Sequence, residues 1–167
     1  MPVSLTLNRD HLEAINRHAE RTYPDECCGL LIGRLTEAGR VVSEIWTTEN
    51  TWTQEVADEI SDGLPTSKTH RYWIAPQEML AAMKAARQQG SEIVGIYHSH
   101  PDHGAIPSEC DRRLAWPQYS YLIVSVIQGT AINAQSWALD NHHQFQPETL
   151  YTLECPRMRR ESLIPDA

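Results

Sequence analysis

Residues 95–111 read GIYHSHPDHGAIPSECD, and their reading decides how the rest of the chain is placed. In a β-strand, residues two apart point to the same side. His98 and His100 are therefore expected to project together, on the face shared with Val94 and Ile96, at the end of a strand over residues 92–97. Two imidazoles held that way can bind one metal ion at about 2.0–2.1 Å each. Pro101 is expected to break the ladder directly afterwards and leave the pair at an edge that substrate can reach. A third ligand must return from elsewhere, and Asp111 is the candidate, on a short helix opened by Ser108. Three protein ligands leave the fourth position for water, whose pKa falls to about 7 when bound, so the pattern is that of a catalytic rather than a structural site. A nearby carboxylate must then accept the proton and pass it on. Ser108 and Asp111 also match the S-x-x-D/E capping box of a helix N-terminus. A carboxylate bound to metal is not expected to reach back to the cap, so the two readings of Asp111 compete.

The flanking chain alternates strands and helices. Residues 3–7 form a short apolar start, expected as an edge strand. Asn8 can cap a helix to about Thr22 with Leu12, Ile15 and Ala19 on one face, and Pro24 ends it. Leu30, Leu31 and Ile32, closed by Gly33, suit a buried strand, and residues 41–46 a second strand paired with it through the turn at 35–40. Residues 47–70 are polar and acidic with little periodicity, and a loop of that length is usually functional or mobile. It is either a tolerated surface insertion or a segment that flanks the groove receiving a partner's extended tail. A brief strand is expected at 71–74, then a helix begun by Pro76 and stopped at Gly90, whose Met79, Leu80, Met83 and Ala86 form a core stripe. Residues 121–127 form a near-continuous apolar strand, as for one buried on both faces, and Gly129 turns the chain into a last strand over 131–139. The mixture predicts an α/β fold, a single mixed sheet sandwiched by helices. Residues 1–145 are expected to form one catalytic domain and 146–167, with Pro147, Pro156 and Pro165, a tail ordered at best in part.

With 167 residues, 41% hydrophobic and 22% charged, the chain can bury a real core. Its formal charge of −8 argues against nucleic acid and anionic membranes, and the basic patch at 157–160 is too small to reverse that. Neither a membrane span nor a signal peptide is read, so the expected compartment is the cytoplasm. Cys27, Cys28, Cys110 and Cys155 contain no CxxC pair and are expected to be free thiols.

His98–Ser99–His100–Pro101, six residues, then Ser108 and Asp111 two residues further on, resembles the JAMM, or MPN-plus, metalloprotease motif without gap or substitution. The stretch 23–33, YPDECCGLLIG, resembles the segment carrying that family's catalytic glutamate, and 72–76 and 121–125 resemble small bacterial members. The resemblance covers about residues 5–140. It implies a cytidine-deaminase-like MPN fold, one Zn2+ per chain on His98, His100 and Asp111, Glu26 as general acid/base, and Ser108 stabilising the oxyanion. It further implies a hydrolase of peptide or isopeptide bonds, cutting after the C-terminal glycine of a ubiquitin-like or sulfur-carrier protein.

Two other readings stay open. A non-catalytic MPN scaffold for protein binding would keep the fold but lose parts of the metal set. Residues 98–103 also spell H-x-H-x-D-H, the metal pattern of the metallo-β-lactamase fold, which would put Asp102 and His103 on a second metal. That fold needs further ligands downstream, where only His142 and His143 follow.

Overall fold

Asn8 starts the first helix as its side chain predicts: Oδ1 accepts the His11 N–H at 2.8 Å. The computed structural model describes residues 4–60 and 67–155. Strand β1 (Ser4–Asn8) leads into α1 (Arg9–Thr22), then the hairpin β2 (Cys28–Thr36) and β3 (Gly39–Thr48). Helices α2 (Gln54–Ile60) and α3 (Pro76–Gln88) follow, then β4 (Glu92–Pro101), α4 (Glu109–Leu114), β5 (Ser120–Ile127), β6 (Thr130–Leu139) and β7 (Phe145–Leu153). The strands form one mixed sheet in the order β1-β3-β2-β4-β5-β6-β7, closed into a barrel by parallel pairing of β1 with β7.

Two apolar layers hold it together. Ile15 and Ala19 of α1 pack with Leu5, Leu31, Tyr97 and Val124 on one face of the sheet. Ala82 and Ala86 of α3 pack with Leu30, Ile32, Ile96 and Tyr121 on the other. The central strands β2, β4 and β5 are buried on both sides, which is why they read as apolar runs without alternation. At Gly29 a Cβ would lie 2.3–2.4 Å from the Tyr97 ring, whose hydroxyl is bonded to His18 Nδ1 at 2.8 Å and cannot swing away freely. Gly29→Ala is expected to lower stability by about 1–3 kcal/mol, read as a lower urea midpoint.

Several expectations are corrected. Val94 faces the α1 layer while Ile93 and Ile96 face the α3 layer, because β4 carries an extra residue where its register with β2 shifts between Leu31 and Ile32. Pro101 does not break the ladder, since it still pairs with Val126 and Asp102 N–H donates to the Val126 carbonyl at 2.7 Å. β1 is no edge strand, because β7 covers its free side. The segment 145–153, expected to be poorly ordered, is that strand, and Pro147 falls in the half of β7 that only β6 flanks. Residues 71–74 join no ladder, and 47–70 contain the end of β3 and the helix α2, with Trp52 fully buried. Leu80 and Met83 are about half exposed rather than core. Residues 61–66 of the polar stretch and the basic patch at 157–160 lie outside the described residues. All four cysteines are free, and no helix among the described residues is long and apolar enough to cross a membrane.

Candidate metal centre

The C-terminal end of β4 holds His98 and His100 on the α3 side of the sheet. Their Nε2 atoms lie 3.1 Å apart. The Asp111 carboxylate meets them with one oxygen each, Oδ1 at 3.3 Å from His98 Nε2 and Oδ2 at 3.3 Å from His100 Nε2. An ion bound tetrahedrally at about 2.0–2.1 Å separates its ligand atoms by about 3.3 Å. The 3.1 Å between the two Nε2 atoms is close to that spacing, and with one Asp111 oxygen the three ligand atoms lie within 4.8 Å of one another; among the described residues this is the group of ligand side chains that could hold a metal ion. His100 Nδ1 faces the Gly104 carbonyl at 3.0 Å, a partner that only an N–H can satisfy, so the Nε2 lone pair points into the centre.

The protonation states also fit a cation. Burial pushes His98 down, against the pull of Asp111, favouring the neutral imidazole. Burial alone would push the Asp111 carboxyl up, but His98 and the hydrogen bonds from both imidazoles outweigh it and hold it well below its usual range. An ionised Asp111 and a deprotonated His98 Nε2 are the forms in which these side chains can bind a divalent metal.

Asp111 also closes the capping box. Its Oδ2 accepts the Ser108 N–H at 2.7 Å while Ser108 Oγ accepts the Asp111 N–H at 3.1 Å. The cap leaves room for the ligand role that competes with it on paper, because a carboxylate has two oxygens with roughly four lone-pair sites. Ser108 Oγ keeps its own hydrogen for another acceptor.

Glu26 arrives from the loop before β2, seventy-two residues before His98 by the numbering. Cys27 N–H donates to Ser99 Oγ at 2.8 Å and Ser99 N–H to the Cys27 carbonyl at 3.2 Å, so this loop is stapled to β4 at the residue between the two histidines. Glu26 is 4% exposed, and its Oε2 has no hydrogen-bond partner among the described residues. Burial first, then the charge of Asp111, push its carboxyl well above the ordinary range, with Arg71 opposing. It lines a cavity of about 270 Å³ together with His100, Ser108, His70 and His103. A second, largely apolar cavity of about 360 Å³ ends on Asp111 and is walled by Tyr72, Met79, Leu80, Met83 and Trp116.

Sequence reasoning missed two residues that build this site. Asn50 Nδ2 donates to the Glu26 carbonyl at 3.0 Å and the Arg71 carbonyl at 2.8 Å, and its Oδ1 accepts from Trp52 N–H at 3.0 Å and Trp73 N–H at 3.2 Å. The Glu26 N–H is taken by the Lys68 carbonyl at 2.8 Å. The polar stretch therefore frames Glu26 from both sides of its backbone. Tyr72 stacks on His98. A tryptophan in an otherwise polar run was the available signal that this stretch packs.

Asp102 and His103 are not brought to the centre as a second ligand pair. Asp102 accepts from the Tyr23 hydroxyl and the Gln128 N–H, each at 2.8 Å, and His103 Nδ1 pairs with the Pro101 carbonyl at 2.8 Å. His142 and His143 lie in the β6–β7 turn, where the His143 ring meets the Arg112 carbonyl. Burial pushes the Cys27 and Cys28 thiols up to about 12, which leaves them inert as nucleophiles near neutral pH.

Residues 8–140 match the family model for prokaryotic homologs of the JAB domain. The chain is 31% identical over 145 residues to a desampylase of Haloferax volcanii, covering 84% of this chain and 92% of that protein. It is 29% identical over 126 residues to the CysO-cysteine peptidase of Mycobacterium tuberculosis, covering 72% of this chain and 73% of the relative. Among solved structures, a Desulfitobacterium hafniense protein is similar with a TM-score of 0.72 at 30% identity, over 90% of this chain and 94% of that one.

Proposed function

This chain belongs to the family of prokaryotic homologs of the JAB domain, and on that premise we propose that it is a zinc-dependent peptidase or isopeptidase. Its substrate in this reading is the bond after the C-terminal glycine of a ubiquitin-like or sulfur-carrier protein, the class to which the names of the similar desampylase and CysO-cysteine peptidase point. The observation that carries the reading is the pairing of a clustered His98, His100 and Asp111 ligand set with a buried carboxyl, Glu26, that keeps one oxygen unpartnered.

His98, His100 and Asp111 would hold the zinc, which supplies Lewis acidity and lowers the pKa of water to about 7. Glu26, as the carboxylate, takes the proton from the attacking water, becomes the protonated form that burial favours, and delivers that proton to the leaving amine. Ser108 Oγ–H donates to the substrate carbonyl oxygen as negative charge gathers there. The cavity shared by Glu26, Ser108 and His100 receives the groups around the scissile bond.

The test is intact-mass analysis of a ubiquitin-like protein bearing a C-terminal extension. The expected result is loss of the extension after the glycine, abolished by a chelator and restored by zinc, with about one zinc per purified chain. Cleavage that persists in chelator, or a purified chain that takes up no zinc, would overturn it. A binding scaffold on the same fold would retain the partner without cutting it.

A further inference from the structure

We propose that Tyr72 is a positioning residue for His98, holding by ring stacking an imidazole whose Nδ1 no hydrogen bond holds. The inference rests on His98 being a zinc ligand. The two histidines are anchored differently. His100 has its ring plane set by the bond from Nδ1 to the Gly104 carbonyl. His98 is completely buried, yet its Nδ1 has no hydrogen-bond partner among the described residues. Metal-bound histidines nearly always use that second nitrogen to fix the ring. Without such a bond, nothing at Nδ1 restrains rotation of the His98 ring about Cβ–Cγ, and packing must do so on that side.

The packing is Tyr72. Its ring lies 4.5 Å from the His98 ring, centre to centre, with the planes 24° apart. The His100 ring is tilted to that of His98, at 5.0 Å and 57°. A flat face against the imidazole resists tipping while leaving both ring nitrogens in plane, so Nε2 stays aimed at the centre. Tyr72 is itself held at both flanks, because Asn50 Nδ2 binds the Arg71 carbonyl and Asn50 Oδ1 the Trp73 N–H. The same ring also walls the apolar cavity beside Asp111. A simple core aromatic would explain its place in the cavity wall, but not the stack on the one ligand whose Nδ1 lacks a partner.

The experiment measures zinc affinity by chelator competition for the wild type, Tyr72→Phe, Tyr72→Leu and Met79→Ala, with urea unfolding of each metal-free protein. Tyr72→Leu is expected to weaken zinc about 10–100-fold, the usual cost of losing an outer-shell partner. Tyr72→Phe, which keeps the ring, stays within about threefold of wild type. Met79→Ala, in the same apolar layer, lowers stability without altering zinc affinity. Equal affinity in Tyr72→Leu and wild type overturns the proposal, as does equal weakening in Met79→Ala or in Tyr72→Phe. If the wild type binds no zinc, the ligand assignment itself has failed and this inference with it.

Discussion

Glu26→Gln is expected to bind zinc as the wild type does and to turn over its substrate about 10²–10⁴-fold more slowly. Glutamine is nearly isosteric and still fills the pocket before β2, where Cys27 and Ser99 fix the backbone. It cannot carry a proton from water to a leaving amine. His98→Ala should lose both zinc and turnover, so the pair separates ligand from proton carrier. Equal zinc loss in the two variants would place Glu26 among the ligands instead. A second readout comes from stability. The buried Glu26 carboxyl is raised, so the folded metal-free chain binds this proton more tightly than the unfolded chain does. Its contribution is fully present below the unfolded pKa of about 4.3 and is lost as pH rises toward the folded value. Metal-free Glu26→Gln should therefore match wild type near pH 4 and become the more stable of the two as pH rises, followed by urea midpoints across pH.

Asn50→Ala is expected to cost about 3 kcal/mol or more and to reduce turnover even in the fraction that folds. Four hydrogen bonds converge on this amide, two donated and two accepted, which is its full capacity. Each partner left buried without a replacement costs about 1–3 kcal/mol, with some relief from water at this half-buried site. The partners are the backbone of Glu26 and of the residues flanking Tyr72, so the damage lands on the proton carrier and on the imidazole support together. Unfolding in urea and the zinc content of the folded protein measure both parts. An Asn50→Ala protein with wild-type stability and turnover would show that the stretch around it is a dispensable insertion.

What could be read without coordinates was what depends on local spacing. The imidazole pair, the Ser108 cap, the Asn8 cap and the Gly90 stop rest on residues within a few positions of one another. What could not be read depended on register and distant partners. One extra residue in β4 moves Val94 across the sheet, and no count of apolar positions reveals it. β7 exists because β1 and β6 both offer it an edge, which overrides the poor strand propensity around Pro147. The exposed methionine stripe has helical periodicity identical to that of a core face. Only the position of the sheet decides that Ala82 and Ala86 are buried while Leu80 and Met83 border a cavity. Glu26 drew its role from family resemblance, since a lone carboxylate before a strand carries no chemistry by itself. Its burial and unpartnered oxygen supply the physical reason that the sequence lacked.

The shared Asp111 carboxylate ties the assembly of the centre to the completion of α4. The same side chain that faces both imidazoles also accepts the first free N–H of that helix. A chain in which residues 108–114 have not coiled has Asp111 elsewhere, and two histidines alone make a poor site. Metal capture thus depends on α4 having coiled, and an ion held by all three side chains would in turn favour the coiled form of residues 108–114.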